Sequence, residues 1–217
     1  MEATIKDLKF GNVRRDDYTE LNRQTYLCAL FSELTQYTFP SNTSQDVVQE
    51  MNELVQLTQE LAESEEVQRM FYAYDENLPI VFKKFLISYG VTKDEASSLI
   101  DSILYDINPL ILKLKYYFQR PRPYQLAYYY KLKLIAFNSC SDQTPSYPSG
   151  HALQSRVFAY VIGDKYPKLY NKVNELADKV ANSRLYMGLH YQSDIDFALV
   201  VAEKMYQNKE FKLKYQI

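Results

Sequence analysis

Only two histidines occur in the 217 residues, His151 and His190, and each stands beside groups that favour an anion. His151 closes the run Pro148-Ser149-Gly150-His151, a hydroxyl, a glycine and an imidazole in three consecutive positions. Gly150 allows close backbone approach and precedes a predicted helix, whose first free amides form an anion site. His190 stands four residues before Asp194. On a shared helix the two would lie on one face, and the aspartate would fix the tautomer of the ring. The other ring nitrogen would then be free as a nucleophile or a ligand. Arg184 lies upstream of this pair, and "KYYFQRPRP" adds Lys115 and Arg122. Arginine suits phosphate because its fork meets two oxygens at once.

Taken singly, each cluster also reads as ordinary structure. "PSGH" is a loop-to-helix cap, His190 and Asp194 a surface pair, and Lys115 with Arg122 two cations favouring a helix dipole. Together they supply what one oxyanion site requires: two guanidinium groups, an ammonium, a hydroxyl, helix-terminal amides and two imidazoles.

The elements that must position these residues read as helices. "QDVVQEMNELVQLTQELAES" carries an apolar stripe at 47, 48, 51, 54, 55 and 61, with Thr43 or Ser44 as its cap. "SEEVQRMFYAYDEN" predicts a second helix and "LPIVFKKFLISYG" a third, with proline near its start and Gly90 at its end. "TKDEASSLIDSILYDI" opens with Thr92 and Glu95 at capping-box spacing. "NPLILKLKYYFQ" predicts a separate helix capped by Asn108, begun at Pro109 and ended before Pro121 and Pro123. The stretch from Pro121 to Pro148 reads as the least regular. Three more helices follow in "HALQSRVFAYVIGDKY", "KLYNKVNELADKVANSRLYMG" and "YQSDIDFALVVAEKMYQ". No alternating strand pattern, repeat or low-complexity tract is present. The expectation is an all-α, single-domain helical bundle over residues 16–217 behind a loosely attached arm, residues 1–15.

Composition narrows the function. Hydrophobic residues make up 47%, enough for a packed core. The net charge of −2 gives no basic field for nucleic acid. No apolar run approaches the ~18 residues that span a bilayer, and the N-terminus has no apolar signal core. The expectation is therefore a cytoplasmic protein without membrane insertion. Cys28 and Cys140 lack metal-ligand spacing and read as ordinary thiols.

The order Lys115, Arg122-Pro123, then Pro148-Ser149-Gly150-His151, then Ser183-Arg184, His190 and Asp194 resembles the tripartite pattern of the type 2 phosphatidic acid phosphatase superfamily. That superfamily groups bacterial class A non-specific acid phosphatases, lipid phosphatases, glucose-6-phosphatase and vanadium haloperoxidases. The intervals of 24 and 31 residues between the motifs fit it. Lys113 with Arg120-Pro121 is a second possible register. Lys115 with Arg122 is preferred, because the soluble acid phosphatases carry "RxRP" with the second arginine used. "SYPSGH", "HYQSDID" and "FPSN" before a long helix also look closest to that soluble class, and the resemblance covers residues 39–205. Pro145 and Ala152 depart from the glycine and threonine that flank the class A central motif.

The resemblance implies a bundle of the superfamily type and a metal-independent phosphomonoesterase acting on a soluble phosphate ester. His190 would be the nucleophile that becomes a phosphohistidine, and Asp194 its orienting group. His151 would be the general acid and base. Lys115, Arg122, Ser149, Gly150 and Arg184 would bind the phosphoryl oxygens. No cofactor is implied, and vanadate would bind as an inhibitor. A bell-shaped pH profile on the acid side of neutrality would follow. Class A relatives point to a homo-oligomer. The alternatives are a vanadium-dependent haloperoxidase, with vanadate on His190, and a phosphate- or nucleotide-binding protein without turnover. Tyr116, Tyr117, Tyr124 and Tyr147 are candidates for the pocket wall.

Overall fold

The computed structural model describes residues 5–217, and these form helices and short 3-10 turns with no strand. The all-α expectation holds. Helices α1 (Tyr18–Asn22) and α2 (Phe31–Leu34) are short. Helix α3 (Gln45–Ala62) starts at Ser44, whose Oγ accepts the Val47 N–H at 3.2 Å, so Ser44 and not Thr43 is the cap. It buries Val47, Met51, Leu54, Thr58 and Leu61, the core-facing stripe of an amphipathic helix.

Two expected helix pairs turn out to be continuous. Helix α4 (Glu65–Ser88) joins two predicted helices across a kink at Asn77 (φ −141°, ψ 43°), with Pro79 just beyond it. Helix α5 (Lys93–Phe118) keeps the Thr92–Glu95 capping box but runs straight through Pro109, where the sequence predicts a new start. The reason is local. Pro109 offers no N–H to the carbonyl four residues earlier. That carbonyl, on Tyr105, accepts from Arg23 Nη1 at 2.7 Å, and the Asp106 carbonyl accepts from Thr25 Oγ1 at 2.9 Å. Outside donors satisfy the carbonyls, and the helix continues.

Helix α6 (Pro123–Tyr130) occupies chain that the sequence predicts as irregular. Pro123 sits at its first helical position, where a missing N–H costs nothing, and Arg122 is its N-cap. Helices α7 (Gly150–Lys165), α8 (Tyr170–Tyr186) and α9 (Gln192–Gln207) follow as expected. Helix α10 (Lys209–Tyr215) is an addition, capped by Asn208 Oδ1, which accepts the Phe211 N–H at 3.1 Å.

Helix α7 is the axis of the molecule. Its buried residues include Ala152, Leu153, Val157, Phe158, Val161 and Ile162, which face most directions. It packs most extensively on α8, then α9, with α4 and α5 also against it. At Gly163 an added Cβ would stand 2.9 Å from Tyr170 Cδ2, so the bare backbone lets α8 begin close against α7. Tyr147 stacks on Phe197 at 4.4 Å and meets Phe118 edge-on at 4.9 Å, which fixes the loop leading into α7. Part of the tyrosine excess is therefore packing.

The first four residues lie outside the described part of the chain. From residue 5 the N-terminal stretch runs along the body. Ile5 is buried, the Phe10 N–H donates to the Gln119 carbonyl at 2.9 Å, and Gln125 Nε2 donates to the Phe10 carbonyl at 3.1 Å.

Gly188 (φ 68°) ends α8 and turns the chain back toward the core. Its N–H donates to the Leu185 carbonyl at 2.8 Å, and the Leu189 N–H donates to that of Arg184 at 3.0 Å. This turn brings Arg184 and His190 to one place. A Cβ here would also press on Thr58 Cγ2 at 3.0 Å. Gly188→Ala is therefore expected to destabilise by at least about 1–2 kcal/mol. A fall in thermal midpoint checks this, and an unchanged midpoint would contradict the role of the turn.

Candidate active site

Helix ends build the site. Lys115 comes from the last turn of α5, and Arg122 from the cap of α6. Ser149, Gly150 and His151 form the start of α7, Arg184 lies in the last turn of α8, and His190 and Asp194 flank the start of α9. A cavity of about 280 Å³ is lined by Lys115, Arg122, Gly150, His151 and His190. Ser141, Thr144, Asn108, Gln154, Ile111, Leu112, Asp17 and Glu20 complete its walls. The expected tyrosine wall is absent: Tyr116, Tyr117, Tyr124 and Tyr147 do not line this cavity, and Tyr116 instead donates to Asp17 Oδ2 at 2.6 Å.

His190 and Asp194 do not share a helix, in keeping with the predicted helix that begins at Tyr191. His190 precedes α9, and Asp194 lies in its first turn. The carboxylate reaches back instead, accepting from His190 Nδ1 at 3.1 Å and from the Tyr191 N–H at 3.0 Å. Because Nδ1 faces a carboxylate, it carries the proton, and Nε2 keeps its lone pair. Arg122 Nη1 donates to that lone pair at 2.9 Å and to the Leu189 carbonyl at 2.8 Å.

Of the two lysine–arginine registers, Lys115 and Arg122 line the cavity. Lys113 Nζ lies 3.5 Å from Cys28 Sγ, away from the histidines. Arg120 is buried against Asp194 Oδ1 at 2.7 Å and Glu50 Oε2 at 3.1 Å, and it does not line the cavity. It is nevertheless part of the support, which sequence reasoning missed. So is Ser146, whose Oγ donates to Asp194 Oδ2, and Glu50, whose Oε1 accepts the Ser193 N–H at 2.6 Å. Burial alone would raise the Asp194 carboxyl, but the Arg120 charge and the His190 and Ser146 hydrogen bonds hold it below the usual carboxylate range.

Arg184 is fully buried beside the cavity and not among its lining residues. Its Nη1 donates to Asp75 Oδ1 at 2.8 Å and its Nη2 to Ser141 Oγ at 3.0 Å. His151 Nε2 lies 3.1 Å from the Asp75 carbonyl. Asp75 belongs to none of the sequence clusters.

The cations at the cavity are short of counter-charge. Lys115 Nζ donates to the Pro145 carbonyl at 2.6 Å. Arg122 donates to the carbonyls of Thr144 and Leu189 and to His190. Among the described residues neither has a carboxylate partner, although both are almost fully buried. Burial, then the charges of Arg122 and Arg184, holds the Lys115 ammonium well below its ordinary pKa. Burial, then Arg184, brings Arg122 down to about 10. Burial, then Arg122, lowers His190 well below an ordinary imidazole, and burial, then Arg184, pushes His151 down to about 3. The Ser149 hydroxyl is buried with no partner among the described residues. A site with buried cations, an orphan hydroxyl and helix-start amides is arranged for an anion. Among the described residues no group of histidine, cysteine and carboxylate side chains could hold a metal ion.

Comparison with known proteins bears on the family and the fold. A family model described as the PAP2 superfamily matches residues 97–205. A non-specific acid phosphatase from Providencia stuartii is 33% identical over 75 residues, which cover 33% of this chain and 30% of that protein's length. The chain therefore matches less than a third of that relative. A solved structure, a transmembrane PAP2-type phosphatidylglycerolphosphate phosphatase from Bacillus subtilis, superposes with a TM-score of 0.53 at 18% identity. It covers 87% of this chain and 94% of its own, a likeness of fold. No helix among the described residues here is long and apolar enough to cross a membrane.

The charge deficit gives a prediction. Inorganic phosphate at about a hundred times its Kd is expected to add roughly 2.7 kcal/mol, a rise in Tm of about 5–11 °C. Lys115→Met removes an unpaired buried charge, so its unliganded Tm should match or exceed wild type while its phosphate response shrinks. An equal response in both proteins would contradict the assignment.

Proposed function

The chain belongs to the PAP2 superfamily, and on that premise we propose that it is a phosphatase that hydrolyses a small soluble phosphate monoester through a phosphohistidine at His190, without a metal. One observation carries this reading: two buried cations with only neutral partners, Lys115 and Arg122, line one cavity with His190, whose Nε2 lone pair is held by Arg122 alone. A cavity of about 280 Å³ suits a small ester better than a long chain.

An entering phosphate draws the Arg122 hydrogen bond from His190 Nε2 to its own oxygens. The freed nitrogen attacks phosphorus in line, so a P–N bond forms as the ester P–O bond breaks. Lys115, Arg122, Arg184, the Ser149 hydroxyl and the Gly150 amide hold the non-bridging oxygens. Asp194 stabilises the ring while it carries positive charge. His151 gives a proton to the departing oxygen. It then takes one from the water that attacks phosphorus and breaks the P–N bond. Vanadate, held by the same groups, is expected to inhibit.

The pH behaviour follows from the two histidines. Both have pKa values lowered from 6.5, so both are neutral in the unliganded protein at mildly acid pH. A neutral His190 is what nucleophilic attack requires. A neutral His151 must receive its proton with the substrate, as the ester monoanion or under the pull of the bound charge. Activity should therefore fall as pH rises above about 6, where the second phosphate proton is lost. The same shifts act on stability with the opposite consequence. As pH falls below 6.5 the unfolded chain protonates both histidines while the folded one does not, so the unliganded protein loses stability there. Bound phosphate should oppose that loss.

The test is release of p-nitrophenol from p-nitrophenyl phosphate at mildly acid pH with excess EDTA. Wild type should turn over. His190→Ala should be inactive, and His151→Ala should lose about 10²–10⁴ in rate. Full activity in His190→Ala, or an alkaline optimum, would overturn the reading.

A further inference from the structure

Asp75 sits 4% exposed in α4 and holds two groups of the site by two different parts of itself. Its carboxylate accepts from Arg184 Nη1 at 2.8 Å, Ser141 Oγ at 2.6 Å and Ser139 Oγ at 2.8 Å. Its main-chain carbonyl lies 3.1 Å from His151 Nε2.

That carbonyl is free for a reason written in the sequence. In an uninterrupted helix it would accept the N–H of residue 79. Residue 79 is proline, which has none, and Asn77 has left helical geometry. The same device recurs at Pro109 in α5, where the carbonyl of Tyr105 is released to Arg23. In α5 the released carbonyl anchors the N-terminal stretch. In α4 it meets an imidazole of the active site.

A carbonyl can only accept, so His151 Nε2 carries hydrogen and Nδ1 is left to exchange a proton. We propose that the Asp75–Pro79 kink is a positioning element of the site: the Asp75 carbonyl fixes His151 with Nδ1 as its working atom, and the Asp75 carboxylate fixes Arg184. Its catalytic consequence rests on the phosphatase reading; the tautomer does not. In the reaction the ester P–O bond breaks as the Nδ1 proton passes to the leaving oxygen, and Nδ1 later takes a proton from the attacking water. Asp75 touches no reacting atom. It aligns the proton carrier and an oxyanion ligand from one residue, so the two keep a common register.

The two arms can be cut separately. Asp75→Asn keeps the carbonyl and removes the charge that holds Arg184. Pro79→Ala keeps the carboxylate and gives residue 79 an N–H that competes for the carbonyl. The first readout is the ¹⁵N spectrum of histidine-labelled protein, in which only two rings report. Wild type is expected to show opposite tautomers, His151 protonated at Nε2 and His190 at Nδ1. The second readout is the rate on an alkyl phosphate, whose leaving group needs a proton, against p-nitrophenyl phosphate, whose leaving group needs it less. Pro79→Ala should lower the alkyl-to-aryl ratio about tenfold or more. Asp75→Asn should weaken inhibition by inorganic phosphate about tenfold while keeping the His151 tautomer.

Protonation of wild-type His151 at Nδ1 would overturn the proposal. So would an unchanged ester ratio in Pro79→Ala, or unchanged phosphate inhibition in Asp75→Asn. The expected tautomers in a wild type that hydrolyses neither ester would uphold the assignment of His151 and contradict the phosphatase reading instead.

Discussion

Buried positive charge without a counter-ion is the constraint on which the rest of the structure depends. An isolated cation in a protein interior is strongly penalised, and a fold tolerates it only when polar groups and rigid packing hold it there. Here the carbonyls of Pro145, Thr144 and Leu189 do that for Lys115 and Arg122. They satisfy hydrogen bonds but cannot cancel charge, so the pocket retains a standing preference for an anion. By contrast, the cations set slightly further back are neutralised. Arg184 faces Asp75, and Arg120 faces Asp194 and Glu50. Charge is balanced at Arg184 and Arg120 and unbalanced at Lys115 and Arg122, which line the cavity.

The helices serve this arrangement through their ends. The residues proposed to touch the phosphoryl group, and Asp194 behind them, lie in the terminal turn of a helix, at its cap or one residue beyond the cap, where backbone groups are unpaired and side chains fan outward. Pro123 makes Arg122 a cap, Gly188 folds His190 back beneath Arg184, and Pro79 releases a carbonyl beside His151. Helix α7, with buried residues on most of its circumference, is the fixed body against which these ends are set. Because the axis is packed on most sides, a shift of any end relative to another disturbs core contacts, which keeps the charged groups in register.

Much of this was legible in the sequence because charged and turn-forming residues are local signals. Periodicity and caps located α3, α7, α8 and α9, and the three clusters contain Lys115, Arg122, Gly150, His151 and His190, which line the cavity. What remained hidden depends on long-range partners. No local pattern says that Pro109 will be tolerated, since Arg23, far off in the chain, takes up the carbonyl it releases at Tyr105, and Thr25 binds the next one. Likewise Asp75 looks like a polar residue before a proline until folding places Arg184 and His151 on either side of it. Arg120 was visible as a competing register, but only its burial against Asp194 separates support from ligand. The four-residue spacing of His190 and Asp194 works without a shared helix, because Asp194 lies in the first turn of α9 and reaches back to the imidazole that precedes it.

The central claim is that the unbalanced charge exists to bring a phosphoryl group onto His190. The most direct measurement is to mix the enzyme with excess labelled substrate, denature it within milliseconds at alkaline pH, and map the label by mass spectrometry. The account predicts an acid-labile, base-stable phosphoryl group on the peptide containing His190, absent from His190→Ala. Turnover with no label on that peptide, or with the label on Ser149, would contradict it.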